Sequence, residues 1–333
     1  MTKKWATEEV MAVVRGFQPA CVLLTAADLN VFTILKTKPM SAKAIADKLK
    51  ADTRAITILL DALAAMVLLT KQNKEYSLSS EVAQLLTEDS SRSILPAIRH
   101  QANCLRRWVQ LPQVIKNGQP AERILNIHSE TEDIAAFIGA MDNFSTPAAT
   151  DVIRKLGTLN FCHLLDVGGA SGTWTIEFLR AVPEAKATLF DLPEVIPMAK
   201  EHIAKAGLSD QVEFVEGDFY TDDLPAGADF IWLSAIAHQN SRQQNQGLFS
   251  KLYTVLENGG KLVLRDVVMD ESRTKPEGGA LFAINMLVAT EGGGTYTFDE
   301  FRMDLLNAGF TNITLVQQDE FMNSLISAVK EEK

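Results

Sequence analysis

His163-Leu-Leu-Asp-Val-Gly-Gly-Ala-Ser-Gly-Thr-Trp174 decides the fold: a short apolar run leads into small residues and then into a helical pattern. Gly168, Gly169 and Gly172 let the backbone turn tightly and approach a ligand. A dinucleotide fingerprint needs glycines at 168, 170 and 173, where Ala170 and Thr173 break it. What stands instead is Asp-x-Gly-x-x-x-Gly from Asp166 to Gly172. An acid beside the turn is a poor neighbour for a pyrophosphate and suits a cationic ligand such as a sulfonium.

Downstream the rhythm alternates strand and helix. Strands are predicted at 163–167, 186–190, 211–215, 229–234 and 260–268, and helices at 173–181, 195–206, 242–256, 278–289 and 298–307. Two late strands, near 311–317 and 323–329, read as an antiparallel hairpin. The fold class is therefore α/β, a Rossmann-like parallel sheet with helices on both faces. Ligands bind beyond the carboxyl ends of such strands. The second strand ends in Asp191, about 20 residues past the glycines, where an acid can accept both ribose hydroxyls. The third leads into Glu216-Gly-Asp-Phe, where Asp218 can accept from an adenine amino group and Phe219 can lie against the ring. The fourth runs into Ala235-Ile-Ala-His238, and Asp266 closes Lys261-Leu-Val-Leu-Arg-Asp on the next. His238 at a strand end is a candidate general base, with Asp266 to hold its imidazole.

Upstream, residues to about 100 read as helices with a small hairpin. Val22, Leu23, Leu29, Val31, Phe32, Ile34 and Leu35 form core faces of an opening helix pair. A helix capped at Ser41, a second from Thr53 to Met66, and a hairpin turning at Lys71-Gln-Asn-Lys make a winged-helix pattern. Residues 93–155 read as helical, broken at Pro112, Gly118-Gln-Pro120 and Pro147. The expected domains are 1–100, a helical linker over 101–158 that contributes to the acceptor pocket, and 159–333.

Composition narrows the partners. With 333 residues, 47% of them apolar, the chain can bury sizeable cores. A net charge of −10 disfavours phosphate backbones, so no nucleic-acid partner is expected. Cys21, Cys104 and Cys162 are too scattered for a disulfide framework or a zinc site, and fit a cytoplasmic protein. No metal-ligand spacing occurs, no signal peptide is read, and the longest apolar run, near Ala62 to Leu69, is too short to span a bilayer. The competing reading from another class is a DNA-binding regulator using residues 41–80. There Lys43, Lys48, Lys50 and Arg54 are interleaved with Asp47, Asp52 and Asp61.

Residues 164–172, Phe190-Asp-Leu-Pro193, Gly217-Asp-Phe219, Leu233 to His238 and Asn258-Gly-Gly-Lys-Leu-Val together resemble the S-adenosylmethionine-dependent O-methyltransferases. The likeness is to their two-domain, dimeric group, which includes caffeate and acetylserotonin methyltransferases. It implies S-adenosylmethionine as cofactor and a homodimer formed through the amino-terminal region. The expected cofactor set is Asp166, Gly168, Gly169, Gly172, Asp191, Leu192, Asp218, Phe219 and Ser234. It also implies a small-molecule acceptor between two helices, with Met141, Asn143 and Phe144 on one and Phe282, Asn285 and Met286 on the other. Gly292-Gly-Gly294 reads as a flexible entry or a turn, and His100, His128, His163 and His202 as structural or solvated residues away from the site. The family commonly has lysine where Ser234 stands, Asp-Trp where Gln239-Asn240 stand, glutamate where Asp266 stands and a second glutamate near Thr295. One acid in place of two leaves sulfur and carbon acceptors open beside oxygen.

Overall fold

The computed structural model describes residues 4–124, 127 and 129–332. His128 lies outside the described residues. The chain divides into two compact units. One comprises Met1–Arg106 with Ile124–Ala140, and the other Arg107–Arg123 with Met141–Lys333. The segment read as a linker is thus shared out between the two.

The first unit opens with α1 (Thr7–Arg15), α2 (Phe17–Asp28) and α3 (Val31–Leu35). The stretch Thr7–Asp28 is 22 residues, long and apolar enough by those two measures to cross a membrane. It therefore exceeds the run at Ala62–Leu69 picked out above, because α1 and α2 continue each other across Gly16. Next come β1 (Met40–Ser41), α4 (Ala42–Leu49), α5 (Thr53–Ala65), β2 (Thr70–Gln72), β3 (Glu75–Ser77), α6 (Ser80–Leu86) and α7 (Leu95–Trp108). Ser41 Oγ accepts from Ala44 N, the cap read in the sequence. The hairpin turn is tighter than expected. Asn73 and Lys74 both have positive φ, which closes a two-residue turn and leaves Lys71 and Gln72 in β2. The short β1 joins β3, giving the order β1-β3-β2. Val31, Phe32, Leu35, Ile45, Leu60 and Leu63 close this unit's core.

α8 (Leu111–Asn117) ends at Gly118 in the left-handed region, and α9 (Glu130–Lys155) follows. The expected break at Pro147 does not occur: the proline sits inside α9. Its missing N–H costs one helical bond, while Ala149, Val152 and Ile153, all buried beyond it, hold the last turns to the core.

The second unit's sheet is built from β4 (His163–Val167), α10 (Thr173–Ala181), β5 (Lys186–Asp191), α11 (Ile196–Lys205), β6 (Val212–Glu216), β7 (Ala228–Ser234), α12 (Arg242–Val255) and β8 (Leu256–Asp266). There follow β9 (Val268–Met269), α13 (Glu277–Ala289), β10 (Tyr296–Thr297), α14 (Phe298–Asn307), β11 (Thr311–Gln317) and β12 (Ser324–Val329). Seven strands run in the order β11-β12-β8-β7-β4-β5-β6. Only the pairings made by β12 are antiparallel. Apolar side chains alternate between two cores. Leu164, Leu189, Trp232 and Val263 face one, with α10 and α11; Leu165, Phe190, Leu233 and Leu264 face the other, with α12 and α14. The predicted strand 260–268 is two elements: β8 stops at Asp266, and Val268–Met269 pairs separately with β10. The break at Val267 frees Asp266 for side-chain chemistry at the carboxyl edge.

Candidate active site

The glycine turn leaves β4 with Gly168, Ala170 and Gly172 all at positive φ. A Cβ on Gly169 would lie 2.6 Å from Leu189 Cγ, so only glycine lets the turn sit this close to β5. Asp166 is buried beneath it, and its carboxylate accepts from Thr175 Oγ1 at 2.6 Å. Burial, with Asp191 nearby, pushes its carboxyl up to about 7. Asp191 accepts from Ala170 N at 2.8 Å and Leu192 N at 2.7 Å, which ties the end of β5 to the turn. Burial raises its carboxyl too. Past β6, Asp218 Oδ1 accepts from Tyr220 N at 2.9 Å, and the Phe219 ring lies 4.5 Å from that of Tyr220. Among the described residues Asp166, Asp191 and Asp218 form no ion pair. The edge therefore holds acids with no cation to answer them, and a cationic nucleoside fits that charge.

Beyond β7 the chain turns at Ala235, which has positive φ, into a single 3-10 turn, Ala237–Gln239. His238 there is buried. Its Nδ1 lies 2.8 Å from Asp266 Oδ1 and its backbone N donates to Asp266 Oδ2 at 3.1 Å. Val267 N donates to the same carboxylate at 2.7 Å. Three donors thus converge on Asp266. A hydrogen bond from Nδ1 to a carboxylate places the ring proton on Nδ1 and leaves Nε2 as the lone-pair nitrogen. Phe282 packs edge-on against the imidazole at 4.8 Å.

The sequence missed what braces this turn. Gly294 N donates to His238 O at 2.8 Å, and a Cβ on Gly293 would lie 2.6 Å from that oxygen. The triple glycine is thus a turn pressed onto His238, rather than an open entry. Asn245 Nδ2 donates to Ala237 O at 2.9 Å, and Asn245 Oδ1 accepts from Asn240 Nδ2 at 3.0 Å. Tyr220 and Tyr296 both donate to Asn240. Thr295, where the family commonly has a second acid, is buried, and its carbonyl accepts from Arg273 Nη1 at 3.0 Å.

Of the other expected residues, Asn285 Oδ1 accepts from Trp108 Nε1 at 2.9 Å and Met286 is buried on the same helix. Phe144 and Leu192 are exposed, and Met141, Asn143 and Phe144 follow one another on α9. Ser234 Oγ accepts from Arg265 Nη1 at 3.0 Å, so its hydroxyl is engaged by a neighbouring strand. His163 bonds Thr188, and His100 packs on Phe137. His202 is nearer the glycine turn than expected. Its Nδ1 lies 3.7 Å from Asp142, which also accepts from Ser171 Oγ and Thr173 Oγ1 on either side of Gly172.

Residues 117–311 match the O-methyltransferase domain and residues 11–89 the O-methyltransferase dimerisation domain. That second match covers the whole of residues 41–80, the segment read as a possible DNA reader. The tetracenomycin polyketide synthesis 8-O-methyl transferase TcmO of Streptomyces glaucescens is 27% identical over 311 residues, covering 92% of this chain and 91% of its own. The L-tyrosine C(3)-methyltransferase of Streptomyces lavendulae is 26% identical over 313 residues, 89% of this chain and 85% of its own. The crystal structure of human N-acetylserotonin methyltransferase in complex with S-adenosylmethionine superposes with a TM-score of 0.82 at 25% identity, covering 99% of this chain and 100% of that one.

Proposed function

The chain belongs to the S-adenosylmethionine-dependent O-methyltransferase family, and on that premise we propose that it methylates a hydroxyl oxygen of a small molecule, with His238 as general base. When bound, S-adenosylmethionine supplies an electrophilic methyl group on a sulfonium. The remaining work is alignment and proton removal. A phenol, with a pKa of about 10, is mostly neutral at pH 7, so a base speeds attack. Asp266 would hold the imidazole with Nε2 turned outward and steady the cation formed when Nε2 takes the acceptor's proton. The observation that carries this reading is the 2.8 Å contact between His238 and Asp266 at the carboxyl edge of β7 and β8. Asp166, Gly168, Gly169, Gly172, Asp191, Leu192, Asp218 and Phe219 would hold the donor, and the residues named on α9 and α13 the acceptor.

Methylation at carbon is the second reading. It is favoured by the single acid, Thr295 standing where a second would be, and by the likeness to the L-tyrosine C(3)-methyltransferase. Following S-adenosylhomocysteine release across a panel of phenols, thiols and carbon acids, with the methylated atom of each product located by NMR, separates the two. Turnover with hydroxyl acceptors is expected, and turnover with carbon acids or thiols alone would sink the oxygen assignment.

The dimerisation-domain match supports a homodimer. Val10, Val13, Val14 and Phe17, exposed along α1 and the start of α2, form an apolar face suited to cover by a second copy.

A further inference from the structure

Among the described residues Arg265 is the only arginine or lysine that is fully buried, with 4% of its surface exposed. All its direct partners are neutral. Nη1 donates to Ser234 Oγ at 3.0 Å, and Nε and Nη2 both donate to Asn323 Oδ1, at 3.0 and 2.7 Å. The guanidinium stacks 4.6 Å from the Trp174 ring. No described carboxylate comes within ion-pair distance of it. A guanidinium carries five N–H donors. Three are used here, so one on Nη1 and one on Nη2 remain. Burial pulls its pKa down to about 10, against a longer-range pull from Asp266 and Asp319. A buried cation answered only by neutral groups is costly to keep, and a ligand anion would relieve that cost.

Its position says where that anion comes from. Ser234 and Arg265 are register partners at the ends of β7 and β8, and Trp174 lies two residues past Gly172, in the first turn of α10. The guanidinium therefore sits beside the glycine turn at the carboxyl edge. Asp166 lies on β4, which pairs with β7 on its other side. Two strand spacings of about 4.8 Å separate β4 from β8, comparable with the span of an amino-acid group and its sulfonium. Acids without cations and a cation without acids thus share one edge. The amino-acid end of the cofactor carries both signs: a sulfonium, an ammonium and a carboxylate.

We propose that Arg265, reaching the edge beside Ser234, is the cation that recognises the carboxylate of S-adenosylmethionine. It takes over from one strand away the positive charge of the lysine that the family commonly carries at position 234. The inference rests on the cofactor assignment and is independent of the acceptor.

The test is binding calorimetry on the full chain with three ligands: S-adenosylmethionine, S-adenosylhomocysteine and decarboxylated S-adenosylmethionine, which keeps the sulfonium and amine. Arg265→Leu should weaken the first two by about 10- to 100-fold, the range for a hydrogen-bonded charge pair, and leave the decarboxylated ligand within about threefold. Arg265→Lys should retain most of the discrimination, and Arg265→Leu with Ser234→Lys should restore it. Melting temperatures identify variants that fail to fold, in which case the lysine variant and the wild-type ligand series decide. Equal loss for all three ligands, or no loss, overturns the proposal while leaving cofactor binding intact. A wild-type chain that binds none of the three overturns the cofactor assignment itself.

Discussion

At the ends of β4 and β5 a buried carboxylate, Asp166, and a half-buried one, Asp191, stand without a cation. At the ends of β7 and β8 a carboxylate is buried with three donors turned on it. Asp166 is therefore pushed up to about 7, and the charge of its ionised form is answered only when a cation arrives. Asp266 is answered by the protein itself, so the geometry of His238 is set before any ligand binds. Under the proposed assignment, the β4–β5 edge would act as a charge receptor and the β7–β8 edge as a pre-assembled dyad. Preorganisation of this second kind spares reorganisation at the moment of reaction.

The largest test of the contrast is His238→Ala. With a hydroxyl acceptor, kcat should fall about 10²- to 10⁴-fold, the usual worth of a positioned base. Calorimetric affinity for S-adenosylmethionine should stay within about twofold, because the donor side does not depend on the dyad. Near-full turnover would remove His238 from the base role. Gly293→Ala comes next. Its Cβ would press within 2.6 Å of His238 O and shift the turn that carries the imidazole. We expect kcat to drop about tenfold, since small misplacements of a reacting group are costly, and stability to fall by about 1–3 kcal/mol as in other overpacked sites. Unchanged kinetics with an unchanged melting temperature would mean that the glycine turn does not brace the base.

The third test is read in pH, at Asp166. A carboxyl held protonated by the fold costs nothing below about pH 4, where the unfolded chain is protonated as well. For Asp166 the ligand-free protein should lose stability as pH climbs from about 4 to about 7, and level off above. Ionised Asp166 is the form that suits a cation, so affinity for S-adenosylmethionine should rise over the same window, with proton release on binding. Calorimetry in buffers of different ionisation enthalpy measures that release. Asp166→Asn should flatten both curves, and a variant with the wild-type slope would show that another group titrates.

Much of the carboxyl edge was legible before folding because these acids sit where strands end, and strand ends follow from apolar periodicity alone. Asp166, Asp191 and Asp218 each close or follow an apolar run. His238 and Asp266 were legible for the same reason, 28 residues apart but at the ends of adjacent parallel strands. The remainder was hidden for reasons of packing. Pro147 reads as a break, and only the buried turns after it keep α9 whole. Gly292-Gly-Gly294 reads as a flexible entry or a turn, and only its contact with His238 O makes it a brace. His202 and Asp142 are 60 residues apart and meet beside Gly172 because α9 and α11 pack on the same face of the sheet.

By itself the sequence determined the alternating α/β pattern, the glycine turn and the acids at successive strand ends, since each depends on local periodicity and on what glycine alone can do. Tertiary structure decided which charges are answered. Arg265 in Leu-Val-Leu-Arg-Asp looks like any strand arginine. Its meeting with Ser234, Asn323 and Trp174 comes from the pairing of β7, β8 and β12 and the position of α10. Charge compensation depends on distance and burial in three dimensions, and neither is encoded in spacing along the chain.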